Sequence, residues 1–225
     1  MTDIRCAVLS QPITEAAAYS KVAKYVLLQL AKRGFEVAFF SEHWSGEPLL
    51  VSIDKYEVPF YFANPSTFEF DKACIDFKPD IILAIGEPFR FTSRIRGAFN
   101  LKSRTKATVV AYGALNFMQV PKELLQALSR ECHFALFATR YDVQLVRAAE
   151  REFNVRTGVP LNHLPHGVDL SIFRPYEEDK RSLEDRLRPI FLMTVAENEV
   201  RKDLLRLIEI AMTLGERLVE AGGFK

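Results

Sequence analysis

Two short polar segments carry the side chains best suited to hold an anionic or hydroxylated ligand. The first is Pro165-His166-Gly167-Val168-Asp169, which follows the strand-like run 161–164, and the second contains Arg201 and Lys202 after the run 190–195. An imidazole can donate to a phosphate or a sugar hydroxyl. Paired Arg and Lys neutralise a diphosphate, Arg through its planar fork and Lys as a point charge. The two segments therefore predict an anion held between two sheet edges.

Further candidate side chains follow the predicted ends of other strands. Thr14 lies in the loop after the first apolar run, and Ala18 and Tyr19 begin a helical pattern whose free N–H groups and dipole could hold an anion. Glu87, a candidate base or ligand of sugar hydroxyls, and Asn116 each follow an apolar run. Ligands of open α/β sheets bind at the carboxyl ends of strands. Ordinary turn or loop roles are the alternative for each of these residues.

Strand-like and helix-like segments alternate along the chain and must position these residues. Strands are predicted at 4–9, 36–40, 58–62, 80–85, 108–112, 133–138 and 161–164, and helices at 19–30, 68–77, 121–130 and 141–153. Gly34 predicts a left-handed helix end, Thr139 an N-cap, and Pro59 an edge strand or an irregular strand start. The alternation predicts an α/β fold with a doubly wound, mostly parallel, Rossmann-like sheet.

A change of composition predicts a domain boundary near residue 175. Residues 1–175 hold the alternating pattern, whereas 176–189 are highly charged and are predicted to form a linker. Residues 190–225 contain one strand-like run followed by a helical pattern from about 203 to 220. We therefore expect one full domain and the first β-α unit of a second.

The overall composition is that of an ordinary globular protein. The chain has 225 residues, 48% hydrophobic and 26% charged, with a formal net charge of +1. Such a charge gives no general attraction to nucleic acid or membranes, and no run reaches the roughly 18 apolar residues of a membrane span. Cys6, Cys74 and Cys132 lack metal-ligand spacing, and we expect Cys6 and Cys132 to be buried, reduced thiols of a cytoplasmic protein.

One stretch in the middle of the chain is locally basic. It contains no acidic residue and holds Arg90, Arg94, Arg96, Lys102, Arg104 and Lys106. Such a patch could face anionic lipid, a phosphorylated acceptor or nucleic acid. We expect an anionic membrane surface, with the protein peripheral to it, and no nucleic acid. A solvated surface without a partner is the alternative.

Taken in order, these segments resemble the retaining GT-B glycosyltransferases of the family-4 type. Leu164-Pro165-His166-Gly167-Val168-Asp169 with Phe173-Arg174-Pro175 is similar to the family's PHGVD…F.P segment between its two domains. Residues 191–203 resemble the first strand of the family's donor domain and its RK loop. Residues 18–20 and 30–37 resemble the first loop and helix. The resemblance covers nearly the whole chain.

The resemblance implies an acceptor-binding N-terminal domain and a C-terminal domain that binds a nucleotide-sugar. Transfer of the sugar to a sugar, lipid or protein acceptor would occur between them with retention, without a metal and without a cofactor other than the donor. By matching position, Arg201 and Lys202 would hold the donor diphosphate, and His166 to Asp169 would line the cleft near the hinge. No protein nucleophile is implied, so no catalytic residue is assigned.

Departures from the family pattern lead to further expectations. Ala16-Ala17-Ala18 stand where the family has glycines, and Ala196-Glu197 replace the usual Gly-Arg before the RK loop. Because the chain stops at Lys225, we expect a fragment, a half that needs a complementary donor-domain chain or a homodimer partner, or an inactive relative. UDP- and GDP-sugars should bind it weakly or not at all. The alternatives are a non-catalytic module that binds an acceptor, a membrane or a partner, and a flavodoxin-like phosphate or nucleotide binder.

Overall fold

The computed structural model describes residues 4–12, 18–41, 47–86, 101–115, 119–167 and 170, and residues 212 and 213. The chain divides into two compact units, Met1–Val168 and Asp169–Lys225. The first unit is an α/β domain with a doubly wound, mostly parallel, Rossmann-like sheet, which confirms the predicted fold class. The predicted linker and the predicted β-α unit at 190–225 lie outside the described residues, apart from residues 212 and 213, which are helical.

Eight strands and five helices are described in the first unit. In chain order they are β1 Arg5–Ser10, α1 Ala18–Lys32, β2 Glu36–Ser41, β3 Leu49–Ile53, β4 Tyr56–Phe62, α2 Phe68–Phe77, β5 Ile81–Ile85, α3 Leu101–Arg104, β6 Thr108–Gly113, α4 Lys122–Glu131, β7 Phe134–Phe137, α5 Arg140–Glu152 and β8 Leu161–His163. The strands lie in the order β3-β4-β2-β1-β5-β6-β7-β8, and only β3 and β4 pair antiparallel. The winding direction reverses between β1 and β5, so the topological switch point lies there.

Two apolar clusters, one on each face of the sheet, hold the helices. Alternate strand residues point to opposite faces, so Ala7 and Leu9 of β1 join one cluster and Val8 joins the other. The first cluster receives the buried faces of α2, α3, α4 and α5, and the second receives α1. Helices on both faces explain why the central strands are apolar throughout, since neither face meets water.

The helix ends follow the predicted capping chemistry in two of three cases. Gly34, two residues after the last residue of α1, adopts φ +84°, as a left-handed helix end requires. The Thr139 hydroxyl accepts a hydrogen bond of 3.0 Å from the Asp142 N–H and caps α5. Pro121 is the N-cap of α4 and not its first residue, with an extended ψ of 153°.

The antiparallel strand β3 was not predicted, and its presence changes the structural interpretation of Pro59. A two-residue turn at Asp54 and Lys55 joins β3 to β4, with Asp54 at φ +54°. The terminal strand is therefore β3, and the expectation that Pro59 marks an edge strand is wrong. Parallel pairing of β4 with β2 begins at Phe60, so Pro59 precedes the point where a missing N–H would interrupt that pairing.

Charged side chains hold the short helix α3 in place. The Arg104 guanidinium makes hydrogen bonds of 3.0 and 2.9 Å to the two Asp71 carboxylate oxygens, and it also donates to the carbonyl oxygens of Pro65 and Thr67. It lies over the Phe70 ring at 5.2 Å from the ring centre. At the other end of α3, the buried Glu131 carboxylate accepts a 2.9 Å hydrogen bond from the Leu101 N–H.

The guanidinium of Arg104 therefore fastens α3 to the start of α2. Of the six cations of the predicted basic patch, Lys102 and Lys106 are exposed. Arg90, Arg94 and Arg96 lie outside the described residues. A membrane contact through this stretch stays a prediction.

All three cysteines are free thiols, and Cys6 and Cys132 are buried as expected. Burial raises the pKa of Cys6 and of Cys74 to about 11 and that of Cys132 to about 12. At about pH 8 a thiol of pKa about 11 is only about 0.1% thiolate, against about a quarter for free cysteine. We expect the folded protein to react with Ellman's reagent far more slowly than the urea-unfolded protein, in which all three thiols react. Rapid labelling of the folded chain would contradict this expectation.

Candidate functional site

The carboxyl ends of β1, β5 and β6 meet at the switch point. The Ser10 hydroxyl, fully buried at the end of β1, donates a 2.9 Å hydrogen bond to the Ile85 carbonyl at the end of β5. The Gly86 N–H donates to the Tyr112 carbonyl of β6 at 3.0 Å. Parallel strands in register end at one sheet edge, which explains why residues far apart in sequence meet there. The edge where α/β folds bind ligands is thus fixed by buried hydrogen bonds.

The segment that contains His166 is tied to this edge by Tyr112. The Tyr112 hydroxyl lies 2.8 Å from His166 Nδ1, and the two rings are perpendicular with centres 5.5 Å apart. The backbone leading to His166 is fixed as well, because the Leu164 N–H donates to the Phe137 carbonyl at 2.8 Å. Tyr112 is buried and His166 is exposed. The buried Tyr112 side chain on β6 therefore orients the exposed imidazole of His166.

Tyr19 joins the beginning of α1 to the end of β6. Its hydroxyl accepts a 3.0 Å hydrogen bond from the Ala114 N–H, directly after β6. Burial raises the pKa of Tyr112, and nearby Tyr19 adds to the increase. The Tyr112 phenol is therefore neutral at physiological pH. Hydroxyl and imidazole groups that both donate and accept hydrogen bonds suit a ligand rich in hydroxyls.

The structure describes four of the residues predicted to bind substrate or phosphate. Tyr19 and His166 are bound to the sheet edge as above, and Ala18 is exposed as the first residue of α1. Gly167 is exposed, and a side chain there would meet no atom within 4 Å. Its φ is not in the left-handed region, so the backbone conformation at this position does not require a glycine. The remaining predicted residues lie outside the described part of the chain: Thr14, Glu87, Asn116, Asp169, Arg201 and Lys202.

His133 has a structural role. Its Nδ1 accepts a 3.0 Å hydrogen bond from the Val109 N–H of β6. Tyr112, by contrast, was not predicted to belong to the site. Its place at the carboxyl end of a strand next to the switch point was the signal that could have indicated it.

The described part of the site contains one small cavity. A cavity of about 10 Å³ lies beside it, lined by Gly86, Tyr112, Gly113 and residues of β7. About one water molecule fits such a volume. Within the same part of the chain, no three His, Cys, Asp or Glu side chains are grouped to hold a metal ion.

Comparison with known proteins adds no family assignment. No protein-family model matches the chain. No curated protein sequence matches it significantly.

Among the described helices, none has the length and apolar character needed to cross a membrane.

Proposed function

We propose that the chain is the acceptor-binding half of a retaining GT-B glycosyltransferase, together with the beginning of its donor domain. The observation that carries the proposal is the Tyr112–His166 contact at the carboxyl edge of the sheet, next to the switch point. This is the edge at which α/β folds bind their ligands. His166 also belongs to the segment that resembles the family's interdomain motif.

The chemistry of the described edge supports an acceptor rich in hydroxyls. His166 is held by a hydrogen bond to Tyr112 of β6, and Tyr19 by one to Ala114 directly after β6, so their polar groups are oriented before a ligand arrives. The buried Tyr112 ring packs edge-on against the His166 imidazole and holds it from the core side. In the proposed enzyme, Arg201 and Lys202 bind the diphosphate of the nucleotide-sugar, and the sugar passes to the acceptor at this edge.

The proposal is tested by acceptor binding and by transfer. Saturation-transfer NMR with a panel of mono- and disaccharides reports acceptor binding, and mass spectrometry with UDP- and GDP-sugars reports transfer. We expect acceptor binding that His166→Ala weakens about 3- to 10-fold, the effect of one lost hydrogen bond. Tyr112→Phe should weaken binding less, because it only releases the imidazole from its fixed orientation.

His163→Ala is the matched control, since His163 is an exposed histidine only three residues before His166. It should leave acceptor binding unchanged. Binding without transfer, in the presence of a donor, agrees with the proposed half, which is expected to bind donors weakly or not at all, and also with a non-catalytic module. Transfer would exclude the module. Equal loss of binding in both histidine variants, or no saccharide binding at all, would count against the proposal.

A further inference from the structure

The terminal strand β3 lacks the features that usually protect a sheet edge. Its five residues, Leu49–Ile53, include no charge, no proline and no glycine. Natural proteins block exposed edges with such residues, because free backbone groups there can pair with another strand. Leu49 is 42% exposed and Leu50 is 65% exposed. Among the described residues β3 has one strand partner, β4, and none of them pairs with its other edge, which we call the free edge.

The hairpin geometry determines which backbone groups face outward. Ile53 and Tyr56 are partners across the two-residue turn, so they exchange backbone hydrogen bonds. Because antiparallel pairs alternate, Leu49 and Val51 also direct their N–H and C=O groups toward β4. Leu50 and Ser52 direct theirs toward the free edge.

We propose that β3 pairs antiparallel with β3 of a second copy of this chain, about a twofold axis through Val51. In this register Leu50 lies opposite the partner's Ser52, and the two residues exchange both backbone hydrogen bonds. The symmetry repeats the pair on the other side of the axis. The two sheets then become one continuous sheet.

Charge complementarity selects this register and this partner. Glu47 and Lys55, both exposed, flank the uncharged strand at opposite ends. In the proposed register Glu47 lies beside the turn of the partner's hairpin, which carries Lys55, and the turn that carries Lys55 lies beside the partner's Glu47. Sliding by two residues in one direction requires Pro48, which has no N–H, to bond with the partner's Ser52. Sliding by two residues in the other direction carries Glu47 past the turn of the partner's hairpin and away from its Lys55.

The side chains on one sheet face also favour a second copy. Leu49, Val51 and Ile53 project to the face that carries α1, and Val51 and Ile53 already pack in that apolar cluster. In the dimer Leu49 would lie opposite the partner's Ile53, and Val51 opposite the partner's Val51. The half-exposed Leu49 would thereby be covered by apolar atoms.

The proposal is tested by sedimentation velocity of the full chain up to about 100 μM, where a weak dimer populates by mass action. We expect a reversible dimer. Ser52→Pro removes the outward N–H without removing a bond to β4, and it should abolish the dimer. Ser52→Ala is the control and should leave the dimer intact. Circular dichroism of both variants checks that the fold is retained.

Charge reversal tests the register. Glu47→Lys and Lys55→Glu should each weaken the dimer roughly tenfold at low salt, because each replaces attraction with repulsion in both symmetric pairs. Mixing the two variants should restore dimer formation, since every facing pair is then opposite in charge. Failure of the mixture to restore it would overturn the register.

Hydrogen exchange shows whether the free edge of β3 is covered by a second copy of the chain or by another segment of the same chain. In the proposed dimer the Leu50 and Ser52 amides are protected only at concentrations where the dimer forms. A monomer at all concentrations would overturn the proposal, whether these amides exchange freely or are protected. Protection in a monomer would show that another segment of the same chain covers the edge.

Discussion

Replacing Phe40 by alanine is expected to lower the free energy of unfolding by about 3–5 kcal/mol. Phe40 is fully buried in β2, and its ring meets those of Tyr61, Phe70 and Phe77 in edge-on contacts, with centres 5.5 to 6.3 Å apart. These rings come from β4 and α2, so one substitution opens a cavity that three elements share. Urea unfolding followed by far-UV circular dichroism measures the loss.

Two other phenylalanine substitutions calibrate the result. Phe40→Leu retains most of the apolar volume and should cost clearly less than Phe40→Ala. Phe68→Ala, at a side chain that is 63% exposed at the start of α2, should change stability by at most about 0.5 kcal/mol. A loss below about 1 kcal/mol for Phe40→Ala would mean that this aromatic cluster contributes little to folding.

Replacing Arg104 by methionine is expected to cost about 1.5–3 kcal/mol. The substitution removes both hydrogen bonds to Asp71 and leaves the carbonyl oxygens of Pro65 and Thr67 without this donor. The side chains of Arg104 and Asp71 are only 26% and 31% exposed, so water replaces these bonds incompletely. Methionine retains an apolar stem of similar length but removes the guanidinium that lies over the Phe70 ring, so the loss includes that contact.

The controls for Arg104 separate charge from geometry. Arg104→Lys keeps the charge without the planar fork and should recover only part of the loss. Arg5→Met removes a looser ion pair with Asp80, at 3.9 Å and with side chains 33% and 51% exposed, and should cost far less. If the two methionine variants are equally stable, Arg104 has no special part in joining α3 to α2.

The sequence predicted well those elements whose pattern is local. The helix 68–77 shows helical spacing of Phe70, Ala73 and Phe77, and its observed bounds agree with the prediction. The strand β3 and the four-residue helix α3 were not predicted, for different reasons. Three of the five β3 side chains are exposed, so the strand shows no clear alternation, and α3 depends on distant Asp71 and Glu131 for its place. The residues of β3 and α3 alone therefore do not indicate that these elements form.

For the candidate site, the sequence indicated strand ends but not contacts between them. His166 was selected because it follows a strand, whereas its partner Tyr112 lies 54 residues earlier, inside an apolar run. Only the parallel pairing of β5, β6, β7 and β8 brings the two residues together. Tyr19 was selected for its helix N-terminus, and its bond to Ala114, 95 residues away, could not be predicted from spacing.

The central place of β1 has a consequence for the order in which the protein is made. β1 is synthesised first, yet its partner on one side is β5, with Cys6 paired to Ile81. Until the ribosome has released β5, the strand β1, with its apolar side chains, keeps one edge of unpaired N–H and C=O groups, and closure must then bridge a long loop. We therefore expect nascent chains that stop before residue 81 to be prone to aggregation and to be bound by chaperones.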